Sequence, residues 1–231
     1  MPKRALAQKR PFLIASIASA LAWFYLNGGH YPELFLIPLK GAAVGLLAAW
    51  LWLRHEGRDA RLMAIAFALA ALGDLLTELE PAIGVLLYFA YNLLALGIYI
   101  QHPRGARSVP EKAIITALLL GPAVVTFLLA QSTGGGQGRA FEALAAGGMA
   151  AGAWSSTFPR VQVGAGAVLV VLADLLATAG MGPLAGSDVP AVLVWPIYYL
   201  GQFLIATGLV KTIRKRDPRL KLVRVDGRTL H

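Results

Sequence analysis

The sequence contains no cysteine. That excludes a disulfide framework, a thiolate nucleophile and any metal site built on thiolates. Charge is scarce as well: Asp, Glu, Lys and Arg make up 14% of the 231 residues, against 57% hydrophobic residues. Such a balance marks an integral membrane protein rather than a water-soluble domain. The only histidines are His30, His55, His102 and His231, all in loops or the tail, and no pair has metal-ligand spacing on a helix. Neither a metal nor another cofactor is expected. There is also no G-x-S-x-G elbow, and no histidine lies in an apolar run to complete a serine triad.

What is present is a series of apolar segments of spanning length, at about 11–27, 32–53, 61–79, 82–100, 112–130, 140–157, 161–180 and 189–211. Short connections separate them, many carrying proline or glycine (Pro32, Pro81, Pro103, Pro110, Pro159, Pro183, Pro190). The pattern predicts an all-α polytopic membrane protein, one transmembrane domain over 1–231, with a basic segment at 1–10 and a basic tail at 212–231. With the N-terminus inside, every Lys and Arg except Lys40 and Arg139 falls in an inner segment, while Glu33, Glu78, Glu80 and Asp188 fall outside. This asymmetry predicts eight spans with both termini cytoplasmic. The net charge of +9 is then topological, so no nucleic-acid partner is expected, and the tail suits anionic lipid headgroups. The first segment has the basic start of a signal peptide, but Asn27-Gly28-Gly29-His30 is a poor cleavage site and its removal would break the charge parity.

Two aspartates lie inside these runs, in similar phrases: Leu72-Gly73-Asp74-Leu75-Leu76 and Leu172-Ala173-Asp174-Leu175-Leu176. A carboxylate at bilayer depth costs roughly 2.5–3.5 kcal/mol on insertion scales, so it marks a functional site by default. Asp74 and Asp174 lie 13 and 14 residues beyond Arg61 and Arg160, about 20 Å from the inner edge at about 1.5 Å per residue. Lys40 enters from the other side, roughly 12 Å below the outer edge on the same ruler. The three charges are expected to converge, with Lys40 holding one aspartate ionised or receiving a phosphate. Tyr88 and Asn92, and likewise Tyr198 and Gln202, are spaced i, i+4 and share a helical face, with Tyr199 beside them.

The parallel Asp-then-Tyr-amide order suggests a four-plus-four internal repeat with a polar pocket between the halves. Asn92 and Gln202 also suit interhelical hydrogen bonding. Glu142 is expected to pair with Arg139 at an interface, and the five tryptophans to form an aromatic belt near helix ends. The small-residue run Ala145 to Gly152 reads as close helix contact.

Lys40, Leu72-Gly73-Asp74, Gly84…Tyr88…Asn92, Met149, Asp174 and Tyr198-Tyr199-Leu200-Gly201-Gln202 together resemble the YhhN-like family of integral membrane proteins, which includes the lysoplasmalogenases. The resemblance covers all segments but the first and fifth. It implies an eight-helix bundle that hydrolyses the vinyl ether bond of a lysoplasmalogen, releasing a fatty aldehyde and glycerophosphoethanolamine or glycerophosphocholine. It also implies Asp74 and Asp174 as the catalytic pair. Lys40, Tyr88, Asn92, Tyr198, Tyr199 and Gln202 are then expected to bind substrate and to orient water or the glycerol hydroxyl. The sequence departs from the family pattern at Asn92, where His is frequent, at Ala95, where Tyr is common, and at Ala173, where Ser usually precedes the second aspartate.

The expected partners are a single-chain lysophospholipid and membrane lipids; the expected location is a bacterial inner membrane. Three other readings use the same residues. One is a lipid-binding or proton-coupled transport protein, although Pro122 and Pro196 lie toward helix ends rather than at matched mid-helix breaks. Another is a hydrolase of a different single-chain lipid. The last, a structural subunit, leaves two costly aspartates without a use.

Overall fold

A backbone in hydrocarbon must satisfy its own polar groups, and helices do so within one segment. The computed structural model, which describes residues 10–29, 31–54, 57–130 and 136–216, is accordingly helical almost throughout. Its helices are α1 (Arg10–Leu26), α2 (Glu33–Arg54), α3 (Arg58–Leu76), α4 (Pro81–Ile100), α5 (Val109–Ala130), α6 (Gly136–Ser155), α7 (Ala165–Met181) and α8 (Val189–Arg216). A five-residue π-helical turn, Arg160–Gly164, leads into α7. The basic segment 1–9, most of the tail (217–231) and His30, His55 and His231 lie outside the described residues.

Local chemistry sets the breaks. Gly28, at φ 87°, takes the left-handed conformation that ends α1. Pro81 opens α4 at the position where a missing N–H matters least. Gly182 follows α7. Four long apolar helices, α2, α4, α5 and α8, and α7 together with its leading turn, are long and apolar enough to cross a membrane. The apolar stretch of α1, Pro11–Leu26, is shorter. In α3 the charges Arg58, Asp59, Arg61 and Asp74 dilute the hydropathy, and α6 is built from Ala and Gly. These features define an integral membrane protein. Pro122 falls near the middle of α5 rather than toward its end.

Each helix packs on the next within α1–α4 and within α5–α8. In addition α6 lies against α4, and α8 returns to α2, α1 and α3. Large apolar side chains such as Leu86, Val124, Leu128 and Phe141 face outward, as lipid contact allows. The interior of α6 is the Ala145–Gly152 run. A Cβ on Gly147 would stand 2.6 Å from the carbonyl oxygens of Leu118 and Leu119, so the α5 and α6 backbones nearly touch. Two expectations fail. Trp50 and Trp195 are buried rather than belt residues: the Arg54 guanidinium lies over the Trp50 ring, and Trp195 donates to the Ala20 carbonyl and packs on Trp23. Glu142 forms no ion pair with Arg139 among the described residues; the end of α7 brings Met181 Sδ to 3.0 Å from the Arg139 guanidinium instead.

Gly147→Val should destabilise the protein by about 1–3 kcal/mol, the usual range for overpacking. Gly97→Ala, where nothing lies within 4 Å of the added carbon, should be neutral or stabilising. Thermal unfolding of the two variants in detergent distinguishes them.

Candidate active site

At the end of the bundle where α1, α3 and α7 finish and α2, α4 and α8 begin, the helices enclose a cavity of about 710 Å³. Volumes in this range suit small-molecule ligands. Lys40, Asp74, Tyr88, Asp174 and Tyr198 all line it, so residues from α2, α3, α4, α7 and α8 meet there. Its walls include Leu34, Leu36, Ile37, Ala177 and Val194.

Asp74 sits two residues before the end of α3 and is 1% exposed. Tyr88 donates to its Oδ1 at 2.6 Å, and Tyr198 reaches its Oδ2 at 3.4 Å. Each carboxylate oxygen therefore has a phenol donor. The short bond falls in the length range of charge-assisted O–H···O bonds to carboxylates. The preceding glycine lets Tyr88 come close, since a Cβ on Gly73 would lie 3.0 Å from the tyrosine ring. Asp174 is different. Its side chain is only half-buried and opens on the cavity, and no hydrogen bond to its carboxyl forms among the described residues. Thr178 Oγ1 donates to its main-chain carbonyl instead. The two acids thus present opposite settings to one space.

Lys40 pairs with neither aspartate. Its Nζ lies 2.6 Å from Glu78 Oε1 and 5.5 Å from the centre of the Trp23 ring. Glu78 was expected in an outer loop and does lie in the turn after α3; its pairing with Lys40 over the cavity was not foreseen. The helix stops at Leu76, where the Thr77 N–H and Oγ1 both bond the Gly73 carbonyl. The turn after it brings Glu78 back over the cavity, four residues from Asp74.

Asn92, Tyr199 and Gln202 are not among the cavity's lining residues. Tyr199 shares a hydrogen bond of 2.8 Å with Ser16 of α1, and Ser16 donates to the Ala43 carbonyl of α2. Gln202 is fully buried and accepts from Tyr91 at 2.9 Å, while its Nε2 and the Asn92 Oδ1 have no partner among the described residues. Ala173 lines the cavity; Ala95 lies in the core. Sequence reasoning missed Glu78, Trp23 and Trp195 as lining residues. The i, i+3 step from Trp195 to Tyr198 would have pointed to one of them.

A helical membrane bundle enclosing two carboxyls in one lined cavity defines the class of protein. More specifically, the chain belongs to the YhhN family, whose model matches residues 35–209, from the start of α2 to the body of α8. No curated protein and no solved structure matches the chain.

A carbodiimide that partitions into membranes reacts with protonated carboxyls. Peptide mass spectrometry after brief treatment should find Asp174 modified ahead of Asp74. Equal labelling, or the reverse order, would contradict the contrast drawn between the two acids.

Proposed function

We propose that this protein hydrolyses the vinyl ether bond of a lysoplasmalogen, releasing a fatty aldehyde and a glycerophospho-alcohol. The observation that carries the reading is the unequal pair of acids in one cavity: Asp74 held by two phenols, Asp174 without a donor among the described residues. Membership of the YhhN family is consistent with it.

A vinyl ether is cleaved by protonation at carbon. In this scheme Asp174 gives its proton to the vinyl carbon remote from the ether oxygen, leaving an oxocarbenium ion. Asp74, ionised, faces that charge and takes a proton from water as the water oxygen bonds to the cationic carbon. The product is a hemiacetal. Asp174, now a carboxylate, then accepts the hemiacetal hydroxyl proton while Asp74 returns a proton to the departing glycerol oxygen. The carbon–oxygen bond breaks, aldehyde and alcohol leave, and both acids regain their starting states. Carboxyl pairs set in different environments divide acid and base roles in this way, and glycosidases meet a related oxocarbenium ion with two carboxyls. Tyr88 and Tyr198 keep Asp74 ionised and aimed. Tyr199 and Gln202, outside the lining, act by fixing α8 against α1 and α4 rather than by touching substrate; Asn92 is outside the lining as well.

We further propose that all eight helices span the membrane, with both termini cytoplasmic and the cavity in the outer half, and that the location is a bacterial inner membrane. Lys and Arg placement supports the orientation. A duplication of α1–α4 in α5–α8 is supported by the matched aspartates, Asp74 in α3 and Asp174 in α7. The copies have diverged at the site itself, since among the described residues Asp74 alone has tyrosine donors.

Purified protein in nanodiscs, incubated with a mixed lysolipid extract and followed by mass spectrometry, should release long-chain aldehyde. Asp74→Asn and Asp174→Asn should each lower the rate by about 100-fold or more, as loss of general acid–base catalysis does, with helical content unchanged. Full turnover in both variants would sink the mechanism. Proton flux without cleavage would make the protein a carrier.

A further inference from the structure

We propose that the Lys40–Glu78 ion pair reads the headgroup of the bound lipid, selecting a zwitterionic phosphate–ammonium headgroup over a net-anionic one. The inference rests on lipid occupancy of the cavity but not on bond cleavage. Both residues line the cavity, and their side chains are 16% and 44% exposed. They sit at its rim: Lys40 lies in the second turn of α2, and Glu78 in the turn after α3. Of the remaining charges on the lining, Asp74 in the last turn of α3 is 1% exposed, and Asp174 lies seven residues before the end of α7.

A partly exposed ion pair contributes little to stability, because solvent screens it and ordering two long side chains offsets the attraction. It is therefore easily exchanged. A ligand that brings both a phosphate and an ammonium replaces one internal pair with two intermolecular ones, phosphate to Lys40 and ammonium to Glu78, so no charge is left unpaired. As Lys40 turns to the phosphate it uncovers the Trp23 ring, 5.5 Å from Nζ in the pair, and aromatic faces attract alkylated ammonium groups. A headgroup of phosphate alone takes Lys40 and leaves Glu78 facing an anion. Like-charge juxtaposition of this kind is how binding sites reject wrong partners.

The test uses two saturated 1-O-alkyl lysolipids, one with a phosphocholine and one with a phosphoglycerol headgroup. They lack the vinyl carbon, so binding is read without turnover. Full-length protein in detergent should bind the phosphocholine lipid about tenfold more tightly, equivalent to about 1.4 kcal/mol. Glu78→Gln should bring the two affinities to within about twofold, Glu78→Asp should keep the preference, and Lys40→Met should weaken both lipids.

A wild-type protein without preference, or a folded Glu78→Gln variant that keeps it, would overturn the proposal. Should Glu78→Gln not fold, Glu78→Ser and the wild-type comparison decide. Aldehyde release measured in parallel separates the two readings. A preference that depends on Glu78 in a protein that releases no aldehyde fails the hydrolase alone. Aldehyde release without the preference fails the headgroup reading alone.

Discussion

Burying the Asp74 carboxylate is the demand that organises the bundle. A carboxyl removed from water is tolerated only with partners that satisfy it, and here they come from two other helices: Tyr88 on α4 at 2.6 Å and Tyr198 on α8 at 3.4 Å. The last helix is thereby tied to the third and fourth, and its return toward the first helices closes the cavity. Gly73 belongs to the same arrangement, since the tyrosine reaches the carboxylate only by lying across a residue without a side chain. The Leu-Gly-Asp phrase is thus one device, a bare surface followed by an acceptor. Trp195 extends it: one turn before Tyr198, it packs on Trp23 and bonds the Ala20 carbonyl, bringing α1 to the same wall.

The helical architecture was legible because its signals are costs. Long apolar runs, little charge and two aspartates at depth would each penalise a water-soluble chain, and the depth ruler brought Lys40, Asp74 and Asp174 to one cavity. Partnership was less legible. Helical periodicity separates neighbours by about 100°, so of Tyr198 and Tyr199 one had to face away, and the pattern did not say which. The i, i+4 rule assigned Asn92 and Gln202 to the faces of Tyr88 and Tyr198, but it carries no information on how deep a cavity runs. Both amides lie one turn further into the bundle, outside the lining. Glu78 was missed for a different reason. It lies in a turn outside the helix, as expected, but charge placement does not say whether such a turn folds back over a cavity. Arg139 showed the same weakness, choosing a sulfur on another helix over an acid on its own.

The two ends of the bundle are built differently. Away from the cavity, His102 pairs with Asp59 at 2.7 Å and Arg160 with Glu111 at 2.8 Å. There too Arg104 donates to the Ser156 and Phe158 carbonyls, and Pro103 and Ser156 form an isolated β-bridge. The α4–α5 and α6–α7 connections are stitched together there through loop backbone. At the cavity end the polar contacts between helices run through side chains, which turn without disturbing the main chain. Regions held by few backbone bonds are those that open at low free energy, and a site for a lipid needs that property.

The crossing of α7 and α8 has a consequence for how such a protein can change over time. A carbon added to Gly166 would stand 2.7 Å from the Gly201 carbonyl oxygen, and one added to Gly201 would stand 2.7 Å from that of Gly166. Each collision is with main chain, which no side-chain exchange removes. Enlarging one position cannot be compensated by shrinking the other, because both are already at the minimum. The pair therefore has no intermediate route to a different contact. The spacing between the helices that carry Asp174 and Tyr198 is inherited as a unit or lost as one.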